Sequence, residues 1–218
     1  AEETGRLHEE YLRWSTPAEA PGDVNLASVV SELSDTVDND AIICNGAGNN
    51  TGWLHRFFRF REGGRQLAST SGSMGYGLPA AVAAALEHSD RQVIAMTGDG
   101  DIQMTSQELA TVVQEGLSIV VIVVNNGMLG TIRMHQELHH PGRVSATDLV
   151  NPDFCGIAAA YGMHAERVDR TDQFAAAFER AMASPSGCET RLPSKTRSRV
   201  RASSMSPGMS ARRSPRPA

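Results

Sequence analysis

The segment that most limits how this chain can fold is its longest apolar stretch, LSIVVIVV, from Leu117 to Val124. Eight residues are too few for a helix that crosses a bilayer, because such a helix needs about 20. A short apolar stretch without alternation is typical of a strand that is buried on both faces, as in a parallel sheet. We therefore predict a buried parallel strand at this position.

Strand-like and helix-like segments alternate along most of the chain. Further strands are predicted from Ala41, at 66–68, from Arg91 and at 163–168, and helices at 23–37, 53–60, 77–88, 104–116, 154–161 and 173–183. Such alternation with short loops is typical of an α/β fold with a doubly wound parallel sheet. We expect six strands, the last near residue 188, where the composition leaves open whether that strand is retained.

Composition divides the chain into three parts. Residues 1–22 are polar and end in Pro17, Pro21 and Gly22, which is typical of a linker that leads into a domain. Residues 23–187 hold the alternating segments and form the predicted domain. Residues 188–218 are rich in Ser, Arg and Pro, and hold eight of the 20 Lys and Arg but only one of the 25 Asp and Glu.

The basic tail at 188–218 has few bulky apolar residues, so we predict that it is disordered. The abrupt change of composition at residue 187 favours a shifted reading frame, a hypothesis that the nucleotide sequence would test. The alternative is a basic arm that binds RNA through charge. We favour it less, so nucleic acid is not an expected partner.

The N-terminus and the cysteines indicate a cytoplasmic protein. The first 14 residues are charged throughout and lack the apolar core of a signal peptide. They also lack an initiator Met, which indicates a fragment or a processed product. Cys44, Cys155 and Cys188 show no CxxC spacing, so we interpret them as reduced thiols and disfavour a catalytic cysteine. No segment is long and apolar enough to predict a membrane anchor.

Three loops rich in Gly and Asn follow predicted strands, at 46–50 (GAGNN), 98–101 (GDGD) and 125–130 (NNGMLG). The carboxyl ends of the strands form the ligand crevice of a doubly wound sheet, so we expect the loops to meet on one ligand. Glycines admit a close approach of the backbone, and helix N-termini favour an anion. Asp99 would repel a phosphate unless a cation lay between them, and Mg²⁺ suits oxygen ligands such as Asp99, Asn126 and the Met128 carbonyl.

At this point the sequence resembles a known family. The segment from Gly98 to Asn126, GDGDIQMTSQELATVVQEGLSIVVIVVNN, is similar to the signature that binds thiamine diphosphate (ThDP). TSGSMGYGLPAA, from Thr70, resembles the segment beneath the cofactor rings in acetolactate synthase-like enzymes. GMLGTIRMHQE, from Gly127, resembles their cofactor-covering loop. The resemblance covers about residues 1–186, the C-terminal third of such enzymes, and implies the ThDP-binding fold and a 2-oxo-acid decarboxylase or carboligase.

The resemblance also assigns roles to individual residues. Asp99, Asn126 and the Met128 carbonyl would bind Mg²⁺. The residues that would contact ThDP are Gly48, Asn49, Asn50, Ser73, Met74, Gly98, Gly100, Asp101, Gly130 and Thr131. Met74 would prop ThDP in its bent form, with a core methionine as the alternative, and His135 would face the substrate. Asp101 departs from the small residue often found after GDG, and its carboxylate would repel a facing diphosphate by up to about 3 kcal/mol.

The resemblance further implies which partners such a domain needs. In these homodimeric or homotetrameric enzymes, the pyrimidine-binding domain of a neighbouring subunit supplies the glutamate that activates the cofactor. No segment of this sequence corresponds to that domain, or to the central domain from which residues 1–22 would lead. We therefore expect this chain alone to be inactive towards a 2-oxo acid, and a truncated, non-catalytic cofactor-binding domain is the alternative.

Two other site hypotheses are disfavoured by spacing. A dinucleotide-binding oxidoreductase is the less favoured alternative, because its fingerprint would need a third Gly where Thr51 or Gln103 stands. Three clustered histidines invite a zinc site; they are His135, His139 and His140. Their segment HQELH is not HExxH, so solvated histidines at the rim of a site are favoured.

Three further methionines are interpreted as core residues because Met is a common filler of apolar gaps. They are Met96, Met104 and Met134.

Overall fold

Six strands pair side by side in a computed structural model that describes residues 2–184 and 188–193. They are β1 (Ile42–Asn45), β2 (Arg65–Ala68), β3 (Val93–Gly98), β4 (Ile119–Asn125), β5 (His164–Arg167) and β6 (Cys188–Pro193). All neighbours are parallel, in the order β2-β1-β3-β4-β6-β5. The predicted doubly wound parallel sheet is confirmed, and the apolar segment from Leu117 supplies its buried strand β4.

Nine α-helices occur in the described residues. They are α1 (Glu2–Trp14), α2 (Leu26–Thr36), α3 (Asn49–Phe57), α4 (Gly77–Glu87), α5 (Asp99–Ile102), α6 (Glu108–Gln114), α7 (Gly130–His139), α8 (Phe154–Ala160) and α9 (Phe174–Ala183). Local chemistry sets several of their starts. Asn25 caps α2, with its Oδ1 accepting from the backbone N–H groups of Ala27 and Ser28 at 3.0 and 3.3 Å. Pro79 lies in the first turn of α4, where its missing N–H costs nothing.

The two faces of the sheet carry separate cores. Alternate strand residues point to opposite faces, so Ile43 packs with helices α2, α3 and α9, whereas Cys44 packs with α4, α5, α6 and α8. Helices on both faces explain why β4 is buried at every position. A sheet covered in this way is open to a ligand only at the ends of its strands.

The direction in which the chain crosses the sheet reverses between β1 and β3. From β1 the chain moves outward to β2 and then returns to β3 on the other side of β1. In such sheets ligands bind outside the carboxyl ends of the strands at this reversal. Here those ends are Asn45 and Gly98, so the fold brings the loops at 46–50 and 98–101 to the predicted crevice.

The C-terminal boundary of the predicted domain needs correction. Residues 188–193 form β6, which lies between β4 and β5 and pairs with both, so the sixth strand is retained. The bonds that hold it are made by backbone N–H and C=O groups, which a polar segment carries as well as an apolar one. The prediction of a disordered tail otherwise falls on residues 194–218, which lie outside the described residues.

The predicted linker at 1–22 contains helix α1. Its ends match the helix dipole, with Glu2 in the first turn and Arg13 in the last, and Arg6 donates to Glu10 at 2.6 Å. The helix has no buried residue. Polar composition therefore identified an exposed segment, but not its helical conformation.

Two of the three predicted core methionines are exposed. Met96 is buried on β3, as predicted, whereas Met104 and Met134 are 55% and 38% exposed. Met104 lies in the turn after α5, and Met134 lies on α7, which has no buried residue. The prediction was wrong for these two residues.

The thiol of Cys44 lies on β1, between β2 and β3, and is fully buried. Burial raises its pKa to about 12, so the neutral thiol is the stable form at neutral pH. A neutral thiol is a poor nucleophile, which agrees with the interpretation of Cys44 as a structural residue. In the part of the chain that the structure describes, no helix has the length and apolar character needed to cross a membrane.

Candidate cofactor-binding site

Asp99 ties the turn after β3 to the loop after β4. It is the first residue of α5 and is 3% exposed. Its Oδ2 accepts from the backbone N–H of Gly127 and from the side chain of Asn151, both at 2.7 Å, and its Oδ1 accepts from the backbone N–H of Gly100 at 2.9 Å. The carboxylate is therefore held in one orientation beside the residue that follows Asn126.

The loop after β4 is shaped by its own short bonds. Asn126 Oδ1 accepts from the backbone N–H of Met128 at 3.1 Å, and Met128 forms an antiparallel bridge with Asp148. The Leu149 N–H also donates to the carbonyl of Gly127 at 2.8 Å. These contacts hold Asn126 and Met128 in one loop, on either side of Gly127, whose backbone N–H donates to Asp99.

The first turn of α3 meets the start of α7. Thr131 Oγ1 donates to Asn49 Oδ1 at 2.9 Å. A Cβ placed on Gly130 would lie 3.2 Å from Asn126 Nδ2 and 3.6 Å from Asn49 Nδ2. The three loops predicted to share a ligand are therefore brought together, with side-chain amides converging where a glycine leaves room.

Asn50 carries an unsatisfied buried donor. The residue is 8% exposed, and its Nδ2 has no hydrogen-bond partner among the described residues. Gly48 lies two residues before it, with a φ of +146° that is available to glycine but strained for other residues. Leaving such a donor unpaired costs about 1–3 kcal/mol. An anionic oxygen bound at the start of α3 would supply the missing acceptor.

Met74 and Ser73 lie on the loop that precedes α4. Three serine hydroxyl groups are hydrogen-bonded in a row along this loop. Ser69 Oγ lies 3.0 Å from Ser71 Oγ, which lies 2.7 Å from Ser73 Oγ. Met74 is half-buried, and its methyl group would lie 3.4 Å from a Cβ placed on Gly100. Gly100 thus provides the space in which Met74 approaches the turn, an arrangement compatible with a role for Met74 beside a ligand.

Asp101 does not share the surroundings of Asp99. Its side chain is 1% exposed and accepts hydrogen bonds from the backbone N–H of Gly75, from Thr97 Oγ1 and from the backbone N–H of Gly98. These partners lie on β3 and on the loop that precedes α4 and carries Met74, which we call the Met74 loop. The sequence pattern gave no information on this orientation.

His135 lies on α7 and is exposed. Its ring stacks on that of His139, with 5.9 Å between the ring centroids and an angle of 6° between the planes. Within residues 2–184 and 188–193, no group of three or more His, Cys, Asp or Glu side chains could hold a metal ion. The described histidines therefore give no support to a zinc site, and α7 has no buried residue.

Two residues of the site have no counterpart in the predicted set. Asn151 donates both to Asp99 Oδ2 and to Asn125 Oδ1, the latter at 2.9 Å, and its own Oδ1 accepts from Gln103 Nε2 at 3.0 Å. Asn125 is the first Asn of the NN pair, so its place at a strand end was a usable signal. Asn151 stands in no motif, and only the folded chain brings it to Asp99.

Comparison with known proteins places this site in a family. The family model described as "Thiamine pyrophosphate enzyme, C-terminal TPP binding domain" matches residues 46–189, where thiamine pyrophosphate is another name for ThDP. The match begins with the loop after β1 and includes all three loops of the site.

Among similar curated proteins is the acetolactate synthase large subunit of Corynebacterium glutamicum, which is 39% identical over 170 residues, 75% of this chain and 27% of that protein. The acetolactate synthase isozyme 2 large subunit of Escherichia coli K12 is 34% identical over 162 residues, 73% of this chain and 30% of that protein. The chain thus spans less than a third of the length of these relatives. Because the family model covers more than half of the chain, the chain belongs to the thiamine pyrophosphate enzymes and carries their C-terminal TPP-binding domain.

Proposed function

We propose that this chain binds ThDP and Mg²⁺ as the diphosphate-binding domain of an acetolactate synthase-like 2-oxo-acid decarboxylase or carboligase. The observation that carries the proposal is the buried amide of Asn50, whose Nδ2 has no partner in the described residues. It lies at the N-terminus of α3, where backbone N–H groups and the helix dipole favour an anion. A diphosphate oxygen would satisfy this donor.

The metal would lie between the turn after β3 and the loop after β4. Asp99 offers a carboxylate, Asn126 a neutral amide oxygen and Met128 a backbone carbonyl. Mg²⁺ prefers such hard oxygen ligands and takes the remainder from phosphate and water. The buried Asp99 accepts from Gly127, the residue after Asn126, so the proposed ligands come from loops that are already connected. This chemistry fits the residues present.

The other predicted contacts surround this centre. Gly98 and Gly100 would let the backbone approach the diphosphate, and Asn49, Gly130 and Thr131 would close its other side. Ser73 and Met74 would contact the rings of the cofactor. When bound, ThDP would supply the nucleophilic carbanion and the electron sink for decarboxylation, while the protein would supply orientation and electrostatics.

The activity of the whole enzyme is part of the proposal. The similar proteins named above are acetolactate synthase large subunits, and from them we infer a 2-oxo acid as substrate. We also infer that the pyrimidine-binding domain of a neighbouring subunit completes the site and that His135, exposed on α7, faces the substrate. A cofactor-binding domain without its own catalysis is the second candidate.

Calorimetric titration of the chain with ThDP, with and without Mg²⁺, tests the proposal. Asp99→Ala should abolish Mg²⁺-dependent binding, because it removes the anionic ligand. Asn126→Ala should weaken binding less, because a neutral ligand is lost. Asp90→Ala is the matched control, since Asp90 is an exposed carboxylate outside the site, and it should bind as the native chain does.

Unchanged ThDP affinity in Asp99→Ala would contradict the metal assignment. The absence of binding by the native chain would contradict the proposal as a whole.

A further inference from the structure

Asp101 lies two residues after the proposed metal ligand but faces a different part of the molecule. Its Oδ2 accepts from Thr97 Oγ1 at 2.6 Å and from the Gly98 N–H at 3.4 Å, and its Oδ1 accepts from the Gly75 N–H. The carboxylate is therefore surrounded by donors from its own chain. A side chain in this position does not contribute the repulsion that a carboxylate facing the diphosphate would cause.

The Asp101 carboxylate occupies the space that a side chain at residue 46 would need. A Cβ placed on Gly46 would lie 1.5 Å from Asp101 Oδ2, much closer than real contacts allow. Gly77 approaches the same point, since its Cβ would lie 2.7 Å from the backbone nitrogen of Gly46. The loop after β1 is thus crowded from two sides, by Asp101 from the turn after β3 and by Gly77 at the start of α4.

The bond from Gly75 fixes the loop that carries Met74. Gly75 is held through both of its polar groups, because its N–H donates to Asp101 and its carbonyl accepts from Thr105 Oγ1 at 3.1 Å. Its φ of +84° leaves few residues able to replace it. Met74 is the preceding residue, and its methyl group lies above Gly100. The distance between Met74 and the turn after β3 is therefore set by these two bonds.

We propose that Asp101 is a positioning residue, which holds the Met74 loop against the diphosphate-binding turn before the cofactor arrives. The effect of Asp101 on ThDP binding rests on the proposed function, whereas its effect on the position of the Met74 loop does not. For ThDP binding the proposal predicts the opposite of simple repulsion, because removing the carboxylate should loosen the loop and thereby weaken binding.

The first test is hydrogen exchange at the Gly75 amide, followed by NMR in the full chain without cofactor. Asp101→Ser should raise the exchange rate by about tenfold or more, because a hydrogen bond to a charged group is lost. Asp101→Asn should keep most of the protection, since its Oδ1 can accept from Gly75 while its Nδ2 donates to Thr97. The matched control is Asp90→Ser, at an exposed aspartate, which should leave Gly75 unchanged.

A second test uses the crowding at Gly46. Gly46→Ala should shift the unfolding equilibrium strongly, because its methyl group meets the carboxylate, and Asp101→Ser should relieve that clash. The double variant should therefore lose less stability than the two single variants predict by addition. Simple additivity of the three variants, or a Gly75 exchange rate in Asp101→Ser that equals the native rate, would overturn the placement of Asp101.

ThDP affinity supplies the last readout. Calorimetry should show weaker binding for Asp101→Ser and near-native binding for Asp101→Asn. Tighter binding for Asp101→Ser would overturn the positioning role and restore repulsion as the explanation. If the native chain does not bind ThDP, the proposed function fails, and the exchange and double-variant measurements still decide whether Asp101 fixes the loop.

Discussion

The turn at Asp99–Ile102 and helix α7 follow neighbouring strands, yet they are built in opposite ways. Three of the four residues of the turn are buried, whereas α7 has no buried residue. Both carboxylates of the turn accept hydrogen bonds from several donors in the chain. Helix α7 is attached mainly by side-chain bonds at its exposed surface, such as Arg133 to Asp148 at 2.9 Å. The half of the site proposed to hold the diphosphate is thus preformed, and the covering half adds little to the core.

The largest expected effect compares one isoleucine from each region. Ile102 is 1% exposed in the turn, and Ile132 is 46% exposed on α7. Ile102→Ala should lower the free energy of unfolding by about 2–5 kcal/mol, because it leaves a cavity in a packed core. Ile132→Ala should change it by about 0.5 kcal/mol or less. Chemical denaturation measures both, and equal losses would break the comparison.

The next effect is on hydrogen exchange when ThDP and Mg²⁺ are added together. Amides of α7 should exchange fast in the chain alone and slow down by up to about 100-fold at a ligand concentration 100 times Kd, if α7 covers the cofactor. Amides of β4, which are already bonded within the sheet, should change less. Addition of Mg²⁺ alone is the control. Equal protection of both elements would show global stabilisation and not closure of a cover.

A smaller effect is expected at the contact between the two halves of the site. Thr131→Val removes the bond from Thr131 Oγ1 to Asn49 Oδ1 and keeps the shape of the side chain. We expect a loss of about 1 kcal/mol in the free energy of unfolding. A double-mutant cycle with Asn49→Ala isolates the pair, and a coupling of zero would mean that this bond does not tie α7 to α3.

The smallest effect is expected for the ion pair between Arg180 and Glu166, which lies outside both regions. It indicates how much an exposed contact contributes to stability. The hydrogen bond from Arg180, at 2.6 Å, lowers the pKa of Glu166 from its usual value of 4.5 to about 2. Because the folded state binds the proton less tightly, this stabilisation is present above pH about 4.5 and is lost as the pH falls towards about 2. Glu166→Gln should therefore cost about 1 kcal/mol or less at pH 7, since the Arg180 side chain is 56% exposed.

Denaturation curves of the native chain and of Glu166→Gln, collected between pH 7 and pH 2, check this dependence. The difference between the two proteins should shrink on the acid side of pH 4.5. A difference that stays constant, or grows, would show that Arg180 does not stabilise the charged form of Glu166.

Local sequence patterns were sufficient for the fold and for the three loops that the fold brings together at the strand ends. The apolar segment at Leu117 marked β4 because a strand buried on both faces has no polar positions, and the Gly- and Asn-rich loops marked strand ends. Bonds between residues far apart in sequence could not be predicted in this way. Asn151 reaches Asp99 across 52 residues, and the orientation of Asp101 depends on Gly75, 26 residues before it.

Strand β6 was uncertain for a different reason. A prediction from composition depends on side chains. The pairing of β6 with β4 and β5 is made by backbone groups, which every segment carries. An exposed helix such as α1 is likewise not predicted by the periodic apolar face that identifies a buried helix. The roles assigned to the site residues remain predictions, because they concern a ligand and not the chain alone.

The buried thiol of Cys44 is a natural reporter of opening at β1. A thiol-directed alkylating reagent needs both physical access and the thiolate, and Cys44 in the folded chain offers neither. Its labelling must therefore wait for an opening that exposes β1, one residue before the strand end that leads into the cofactor loop. The rate at which mass spectrometry finds Cys44 modified thus measures how often this part of the sheet opens, without any introduced probe.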